Sequence, residues 1–524
     1  MELRHQILLS GPPGVGKTTV GRELATLLHL PFLDLDERVE STGGATPAKI
    51  LVREGEAEFR RMERTTLASV YREPAVIALG GGTLVELTAR VEARSRGLLM
   101  GLHAAPDILR ARIEHDRRTE RPLLRQQENP TGRLQELLEA RAQSYASVDR
   151  TFSAEGAPME VASRISDAAR QMRVRSCRLA EHQTRIVIGR ELESALLGCL
   201  SHHSPSRAVI VLSDAGVPSV KVQRYTEPLA SAFQVWQRVL PGGEACKTWS
   251  VLEEVLEGAL AAGAGRQSVV VALGGGAICD LAGVVASLLG RGARLVLVPT
   301  TVLAQADASV GGKCAINTRA GRNLVGAFHP AEDVVVDLDF LASLSDEEHH
   351  SGLVEVLKMG LLRDPGLFRR VASTRRAELE TMDRAIELKS EFVERDPWDT
   401  GDRMLLNLGH TVGHALEAGS NYTLRHGTAV AWGIRAVARL SREQAGLSAA
   451  DEAEITEAIT PFLSYPTLPQ EVWSRALPYL RRDKKGDLQG VELILLQKIG
   501  EATRRRVSWS QVEDTWMSIG GSSK

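Results

Sequence analysis

Aromatic side chains are scarce in this 524-residue chain, at 4%. Its cores must therefore be packed from aliphatic residues. Cysteine is sparse as well. Cys177, Cys199, Cys246, Cys279 and Cys314 are an odd number, and no two have metal-ligand spacing. This excludes a disulfide framework and a cysteine-bound metal, and it fits reduced thiols in a cytoplasmic protein. No charge sign dominates, with Lys+Arg 64 against Asp+Glu 66, so no global field favours nucleic acid or an anionic membrane. Arg504-Arg505-Arg506 reads as a solvated face. No apolar run reaches the length of a membrane span, and Met1–His5 lacks a signal-peptide pattern. The expectation is a cytoplasmic protein with small-molecule partners, no nucleic acid and no membrane. The length calls for two to four domains.

What is present is more pointed. Ala-Leu-Gly-Gly-Gly occurs at Ala78–Gly82 and again at Ala272–Gly276, each after a short apolar run. That is how a buried parallel strand reads when it ends where backbone meets a ligand. Residues 1 to about 150 alternate strands (Ile7–Leu9, Pro31–Leu33, Val76–Leu79) with helical stretches (Thr18–Leu28, Ala57–Tyr71), as in a parallel α/β sheet. Ser153–Pro158 breaks the pattern, and 166–183 reads as a linker. Strands resume at Arg185–Gly189, Val209–Leu212, Val269–Leu273 and Leu295–Val298. Beyond about 340 the chain reads as helical, with a last strand near Val491–Gln497. The expected units are 1–165, then 184–335 (α/β), then 336–524 (helical).

Gly11–Thr18 matches G-x-x-x-x-G-K-[ST] between a strand and a helix, the context that makes this motif a phosphate loop. Asp34 and Asp36 alternate at the end of the second strand, which would put both on one face. After them come Gly55–Glu63, Gly80–Gly82, Arg121-Pro122-Leu123-Leu124, and Arg141 four residues before Tyr145. In that order these residues resemble shikimate kinase. The resemblance implies a P-loop kinase domain that binds ATP through Gly14, Val15, Gly16, Lys17, Thr18, Thr19 and Arg121. It implies Mg²⁺ held by Thr18 and, through water, Asp34. Shikimate would meet Asp36 (the base), Arg60, Gly81, Gly82 and Arg141, and Arg121 would sit in a lid. Arg117 and Arg118 either assist or are lid surface.

The second half carries Gly274-Gly275-Gly276, which is not the G-x-G-x-x-G fingerprint, and then Pro299-Thr300-Thr301. Glu355 precedes a histidine block of His410, His414 and His426. One carboxylate with imidazoles suits a catalytic metal with an open position. Spacing alone pairs His410 with His414, which share a helix face. With Pro241–Glu244, Asp307–Lys313 and Asp483–Lys485, residues 185 to about 500 resemble 3-dehydroquinate synthase. The resemblance implies an α/β NAD-binding subdomain and a mostly α-helical metal-binding one. Zinc (cobalt is the alternative) would be held by Glu355, His410 and His426. His414 would face the substrate phosphate and help move protons. NAD⁺ would be held by Asp214, Glu244, Lys247, Gly275, Gly276, Asp280, Thr300 and Thr301. The substrate, 3-deoxy-D-arabino-heptulosonate 7-phosphate, would meet Asp307, Lys313, Asn323, Lys358, Lys389, Arg403, Asn407, His414 and Lys485. Catalytic work would fall to Lys313, Lys358, Lys389, Arg403 and His414. Arg291 would reach across a homodimer interface.

This chain departs from the pattern. Arg322 stands for the usual Lys before Asn323, Ala308 for Ser, Cys279 for Gly, Pro397 for Glu, Asp399 for Glu and Thr428 for Glu. The leading expectation is a bifunctional enzyme. It would phosphorylate shikimate and convert the heptulosonate phosphate to 3-dehydroquinate with loss of phosphate. The alternatives are another sugar phosphate cyclase or metal-dependent alcohol dehydrogenase in the second half, or one half as a non-catalytic regulatory module.

Overall fold

The computed structural model describes residues 5–116, 130–203, 208–463, 468–480 and 490–520. The sequence candidates Arg117, Arg118, Arg121 and Lys485 lie outside the described residues. The apolar runs become two separate sheets. In the first, β1 (Gln6–Ser10), β2 (Phe32–Asp34), β3 (Val76–Ala78), β4 (Gly97–His103) and β5 (Arg150–Ser153) pair in the order β2-β3-β1-β4-β5, all parallel. Helices cover both faces, which is why β1 and β3 are buried along their whole length.

The second sheet has β6 (Arg173–Leu179), β7 (His182–Gly189), β8 (Val209–Asp214), β9 (Val235–Leu240), β10 (Val269–Gly274), β11 (Arg294–Pro299) and, later in the chain, β14 (Asp333–Asp337). Its order is β6-β7-β14-β11-β10-β8-β9, parallel except for the antiparallel edge pair β6–β7. Between β11 and β14, β12 (Lys313–Thr318) and β13 (Gly321–Phe328) form an antiparallel hairpin outside the sheet. From Asp346 onward the described residues are helical, apart from a hairpin of β15 (Gly490–Lys498) and β16 (Glu501–Ser508).

Two sequence expectations need correction, and one strand was not foreseen. Residues 166–183 are not a free linker. The helix Pro158–Arg170 runs through Gln171 and Met172 into β6, whose backbone pairs with β7. The basic side chains of this stretch had masked a strand, because Arg175 is neutralised by Asp383 and Glu387. Asp34 and Asp36 do not share a strand face. β2 ends at Asp34, which caps the next helix by accepting from the backbone N–H of Asp36 (3.0 Å) and Glu37 (3.4 Å). The arginine run 504–506 lies on β16, a strand that was not foreseen, with all three side chains exposed.

The two sheets are not independent bodies. One hydrophobic core contains Ile7, Leu9, Met100 and Ile165 from the first unit together with Val187, Leu196, Val209 and Val271 from the second. Arg94, in the helix Leu87–Arg96, pairs in the interior with Asp333 of β14 (2.5 Å), and His203 Nε2 lies 2.9 Å from the other Asp333 oxygen. Arg90 donates to the Ser201 carbonyl at 3.0 Å. A Cβ at Gly198 would collide with the Val148 carbonyl, so only glycine lets the helix Glu193–His203 settle on the first unit.

Candidate active sites

The first site is a cleft of about 1350 Å³ at the C-terminal ends of β1 and β3. The loop after β1 turns into the helix Lys17–Leu28 through Gly16 at φ 99°, a left-handed conformation that suits glycine. The helix N-terminus and loop N–H groups form an anion cradle. Lys17 Nζ folds back on the carbonyls of Gly11 (2.8 Å) and Pro12 (3.2 Å). Gly14, Val15, Gly16, Thr18 and Thr19 line the cleft beside it. Thr18 Oγ1 donates to Asp34 Oδ2 at 2.6 Å, which puts a hydroxyl and a carboxylate together beside the loop.

Across the cleft, Arg60 is buried and ion-paired with Glu63, with Glu56 at 3.0 Å. Glu63 also accepts from Thr83 Oγ1 at 2.7 Å. Sequence reasoning passed over Glu63. Its position one helical turn after Arg60 was the available signal. The first Gly triplet lies in the wall. Gly82 packs so closely on Arg60 that a Cβ there would meet the guanidinium. Arg141 Nη1 (3.1 Å) and Tyr145 OH (2.8 Å) both donate to the Gly81 carbonyl. Burial, with Glu63 and Asp34 nearby, lifts the Asp36 carboxyl to about 7, although Lys17 and Arg60 oppose the shift. A carboxylate poised there suits a general base near neutral pH.

The second site lies where the α/β and helical subdomains face each other. The helix Gly276–Leu288 begins at Gly275, directly after β10, without a side-chain cap. A Cβ at Gly276 would stand 3.3 Å from Ala308, and one at Gly275 would stand 3.4 Å from Thr301. The Thr300 N–H bonds the Gly274 carbonyl at 3.0 Å, tying the two loops together. Asp214 ends β8 alongside and accepts from Gly216 N–H at 2.8 Å. Lys247, nearly inaccessible, donates at 2.5 Å to both Asp280 Oδ2 and Asn323 Oδ1. Burial lifts the Asp280 carboxyl to about 6 despite Lys247. Asn317 links Glu244 to the same group by a 2.5 Å hydrogen bond.

Facing this, the structure brings Glu355, His410 and His426 together, with one ligand atom of each within 4.8 Å of the others. His410 Nε2 is 3.6 Å and His426 Nε2 3.4 Å from Glu355 Oε1. Both Glu355 oxygens are buried without a well-oriented hydrogen bond, although the Lys358 ammonium touches one. The opposite ring nitrogens are occupied. His410 Nδ1 lies 3.1 Å from the Leu408 carbonyl, and His426 Nδ1 lies 3.3 Å from Glu417 Oε2. Burial and Lys358 hold His410 far below its usual value, so its Nε2 is a free lone pair. Burial presses His426 down too, yet the nearby carboxylates of Glu355 and Glu417 outweigh it and lift it to about 10. His414 is exposed, its ring centroid 5.4 Å from His410's, and it forms a second cluster with Glu417 and His426. Glu417 was not foreseen; it lies on the same helix as His410 and His414, one turn after the latter.

Cations surround this cluster. Lys389 pairs with Asp307, which sits in a π-helical turn, Ala304–Ala308. Burial alone would raise the Asp307 carboxyl; Lys389 and Lys358 hold it below its usual range. Lys313 pairs with Asp399. Arg403 is buried and donates to the carbonyls of Pro397 and Gly311, each at 3.0 Å. Asn407 donates to the Met404 carbonyl at 3.0 Å. Arg291 is exposed in the left-handed turn after the helix Gly276–Leu288.

Comparison with known proteins follows the same division. A shikimate kinase family model matches residues 13–170. Models for the N-terminal and C-terminal parts of 3-dehydroquinate synthase match residues 237–351 and 352–486. The 3-dehydroquinate synthase of Xanthomonas oryzae pv. oryzae is 39% identical over 325 residues, covering 58% of this chain and 87% of that protein. A 2-deoxy-scyllo-inosose synthase, solved with carbaglucose-6-phosphate, NAD⁺ and Co²⁺, is 25% identical with a TM-score of 0.60, over 66% of this chain and 99% of its own. Shikimate kinase from Acinetobacter baumannii, solved with shikimate, is 38% identical with a TM-score of 0.30, over 31% of this chain and 92% of its own. No described helix is long and apolar enough to cross a membrane. The chain belongs to the 3-dehydroquinate synthase family and carries a shikimate kinase domain fused in front of it, with both activities in one polypeptide.

Proposed function

We propose that the first cleft phosphorylates shikimate from ATP, with Asp36 as base and Arg60 and Arg141 as carboxylate clamps. The second site converts 3-deoxy-D-arabino-heptulosonate 7-phosphate to 3-dehydroquinate. In the first, Lys17 and the loop N–H groups bind the β- and γ-phosphates, and Asp36 takes the hydroxyl proton as the phosphoryl group arrives. The Arg60 guanidinium fixes the substrate carboxylate, with Glu63 and Gly82 holding that guanidinium in place. Thr18 and Asp34 fit Mg²⁺, since their oxygens converge beside the loop. Bound there, the ion neutralises charge on the phosphates.

In the second site Glu355, His410 and His426 fit a divalent metal, zinc or cobalt. The fit rests on an under-bonded buried carboxylate and on imidazoles whose other nitrogens are already engaged. NAD⁺ fits over the Gly275–Gly276 turn, with Lys247 and Asp280 beside it, and Lys247 also donates to Asn323, the residue expected to meet the substrate. When bound, the metal polarises substrate hydroxyls and NAD⁺ accepts and returns a hydride. The chain's own residues do the rest. Lys313, Lys358, Lys389 and Arg403 hold the substrate's carboxylate and phosphate, Asp307 and Asn407 orient hydroxyls, and His414 moves protons at the phosphate end. The exposed Arg291 serves a homodimer interface.

The observation that carries this reading is the convergence of Glu355, His410 and His426 opposite the Lys247–Asp280–Asn323 group. Arg403, Lys389 and the Asn407 amide favour the heptulosonate over a sugar phosphate that lacks a carboxylate, because the carboxylate needs cationic and hydrogen-bond-donating partners. Assays of purified Lys17→Ala and His410→Ala test it. Each should lose one activity and keep the other, and cyclisation of sedoheptulose 7-phosphate without turnover of the heptulosonate would reject the substrate assignment.

A further inference from the structure

The β12–β13 hairpin carries two neighbouring residues committed to different machinery. Asn323, at φ 54°, accepts from Lys247 at 2.5 Å, and its N–H donates to Asn317 Oδ1 at 3.1 Å. Arg322 leaves that group and crosses to the helical subdomain. Its guanidinium carbon lies 3.8 Å from the centroid of the Tyr422 ring. Its Nη1 stands 3.5 Å from Glu417 Oε1. The other Glu417 oxygen is 3.3 Å from His426 Nδ1, and His426 Nε2 is 3.4 Å from Glu355. The relay Arg322–Glu417–His426 thus ends at the metal cluster. It starts one residue from the cofactor side.

We propose that Arg322 is a positioning residue of the synthase. It holds Glu417 so that the His426 ring is fixed in the orientation the metal requires, and it ties that orientation to the hairpin carrying Asn323. This inference rests on the metal site proposed above.

Three observations support the assignment. Glu417 is buried, so its carboxylate needs partners on both oxygens; His426 supplies one and Arg322 the other. The chain turns sharply to bring Tyr422 beneath the guanidinium, because Asn421 (φ 53°) and Tyr422 (φ 60°) are consecutive left-handed residues just after the helix His410–Gly419. Side chains larger than glycine adopt that conformation at a cost, and surrounding contacts must hold it. Finally, the planar guanidinium stacks and pairs at once. An ammonium, as in the lysine that Arg322 replaces, has no flat face and no fork. An exposed arginine–glutamate pair by itself contributes little. Here the carboxylate is buried and its second oxygen holds a ligand imidazole, and outer-shell partners of that kind tune metal affinity.

The test uses the full chain in four forms: wild type, Arg322→Met, Arg322→Lys and His410→Ala. Co²⁺ affinity is measured by chelator competition, and the visible absorption of the Co²⁺ form is recorded. NAD⁺ binding and kinase turnover are measured on the same samples. Arg322→Met should weaken Co²⁺ binding by about 5- to 30-fold and alter the Co²⁺ spectrum. Arg322→Lys should fall between it and wild type. NAD⁺ affinity and kinase turnover should stay within about two-fold. Co²⁺ affinity and spectrum unchanged in Arg322→Met would overturn the proposal, whatever synthase turnover does. Joint loss of metal, NAD⁺ and kinase function would also overturn it, as a general structural role. If His410→Ala binds Co²⁺ as well as wild type does, the metal-site reading itself fails, which is a separate result.

Discussion

Arg185, on the second strand of the synthase sheet, donates to both carboxylate oxygens of Asp149 in the kinase unit, at 2.8 and 2.7 Å. Its remaining donors reach the carbonyls of Arg94 (3.0 Å) and Gly97 (3.0 Å), and Asp149 is fully buried. Removing one partner of such a pair strands a charge in the interior, at about 3–5 kcal/mol. Asp149→Ala should therefore lower the unfolding midpoint by several degrees and damage both activities. The double replacement by leucine should recover part of the loss, since no charge is left unpaired. Calorimetry checks this, with a single transition expected for the wild type because the core is shared.

Asp36 links kinase chemistry to stability. Its carboxyl is raised to about 7 in the folded protein, from an ordinary value near 4. A raised carboxyl gives stability that is complete below the unfolded value and is lost as pH climbs through the folded one. Asp36→Asn should abolish phosphorylation. It should also make the unliganded protein more stable than wild type at pH 8, by about 1–3 kcal/mol. That gap should shrink steadily as pH falls from 8 to 5. Denaturant titrations at several pH values would show it, and a gap that widens at low pH would contradict the assignment.

Glu63 holds Arg60 and Thr83 together beneath the proposed shikimate carboxylate site. Glu63→Gln keeps the shape and removes the charge. Kinase kcat/KM should fall by about 10- to 100-fold, chiefly through KM for shikimate, as expected for a lost charge-assisted contact of 1.5–3 kcal/mol. Synthase kinetics in the same preparation should not change.

Metal removal should separate the two activities. A strong chelator, followed by excess Mg²⁺, should leave kinase turnover intact and the synthase inactive. Zn²⁺ or Co²⁺ should restore the latter. Metal affinity should fall steadily as pH drops below about 10, across the neutral range, because His426 must give up the proton that Glu355 and Glu417 favour.

Much of this was legible in the residue order, and for physical reasons. Strands buried on both faces are written as unbroken aliphatic runs, so β1, β3, β8, β10 and β11 could be read directly. The phosphate loop and the histidine block carry their chemistry in local spacing. β6 and β16 escaped because their arginines reach carboxylates or solvent, which periodicity cannot see. Glu63 and Glu417 act through another side chain, and such roles appear only when the chain is folded. The seam between the units was also invisible, since Asp149 and Arg185, or Arg94 and Asp333, are distant in sequence.

The helix Pro158–Arg170 and β6 are separated only by Gln171 and Met172, and Met172 is completely buried. A ribosome finishing this chain therefore delivers both catalysts in a fixed one-to-one ratio, and the joint between them is a two-residue turn rather than a long tether, which gives a protease little chain to cut. Gene dosage cannot adjust one step against the other. The balance of flux between them has to be written into the turnover numbers and substrate affinities of the two sites.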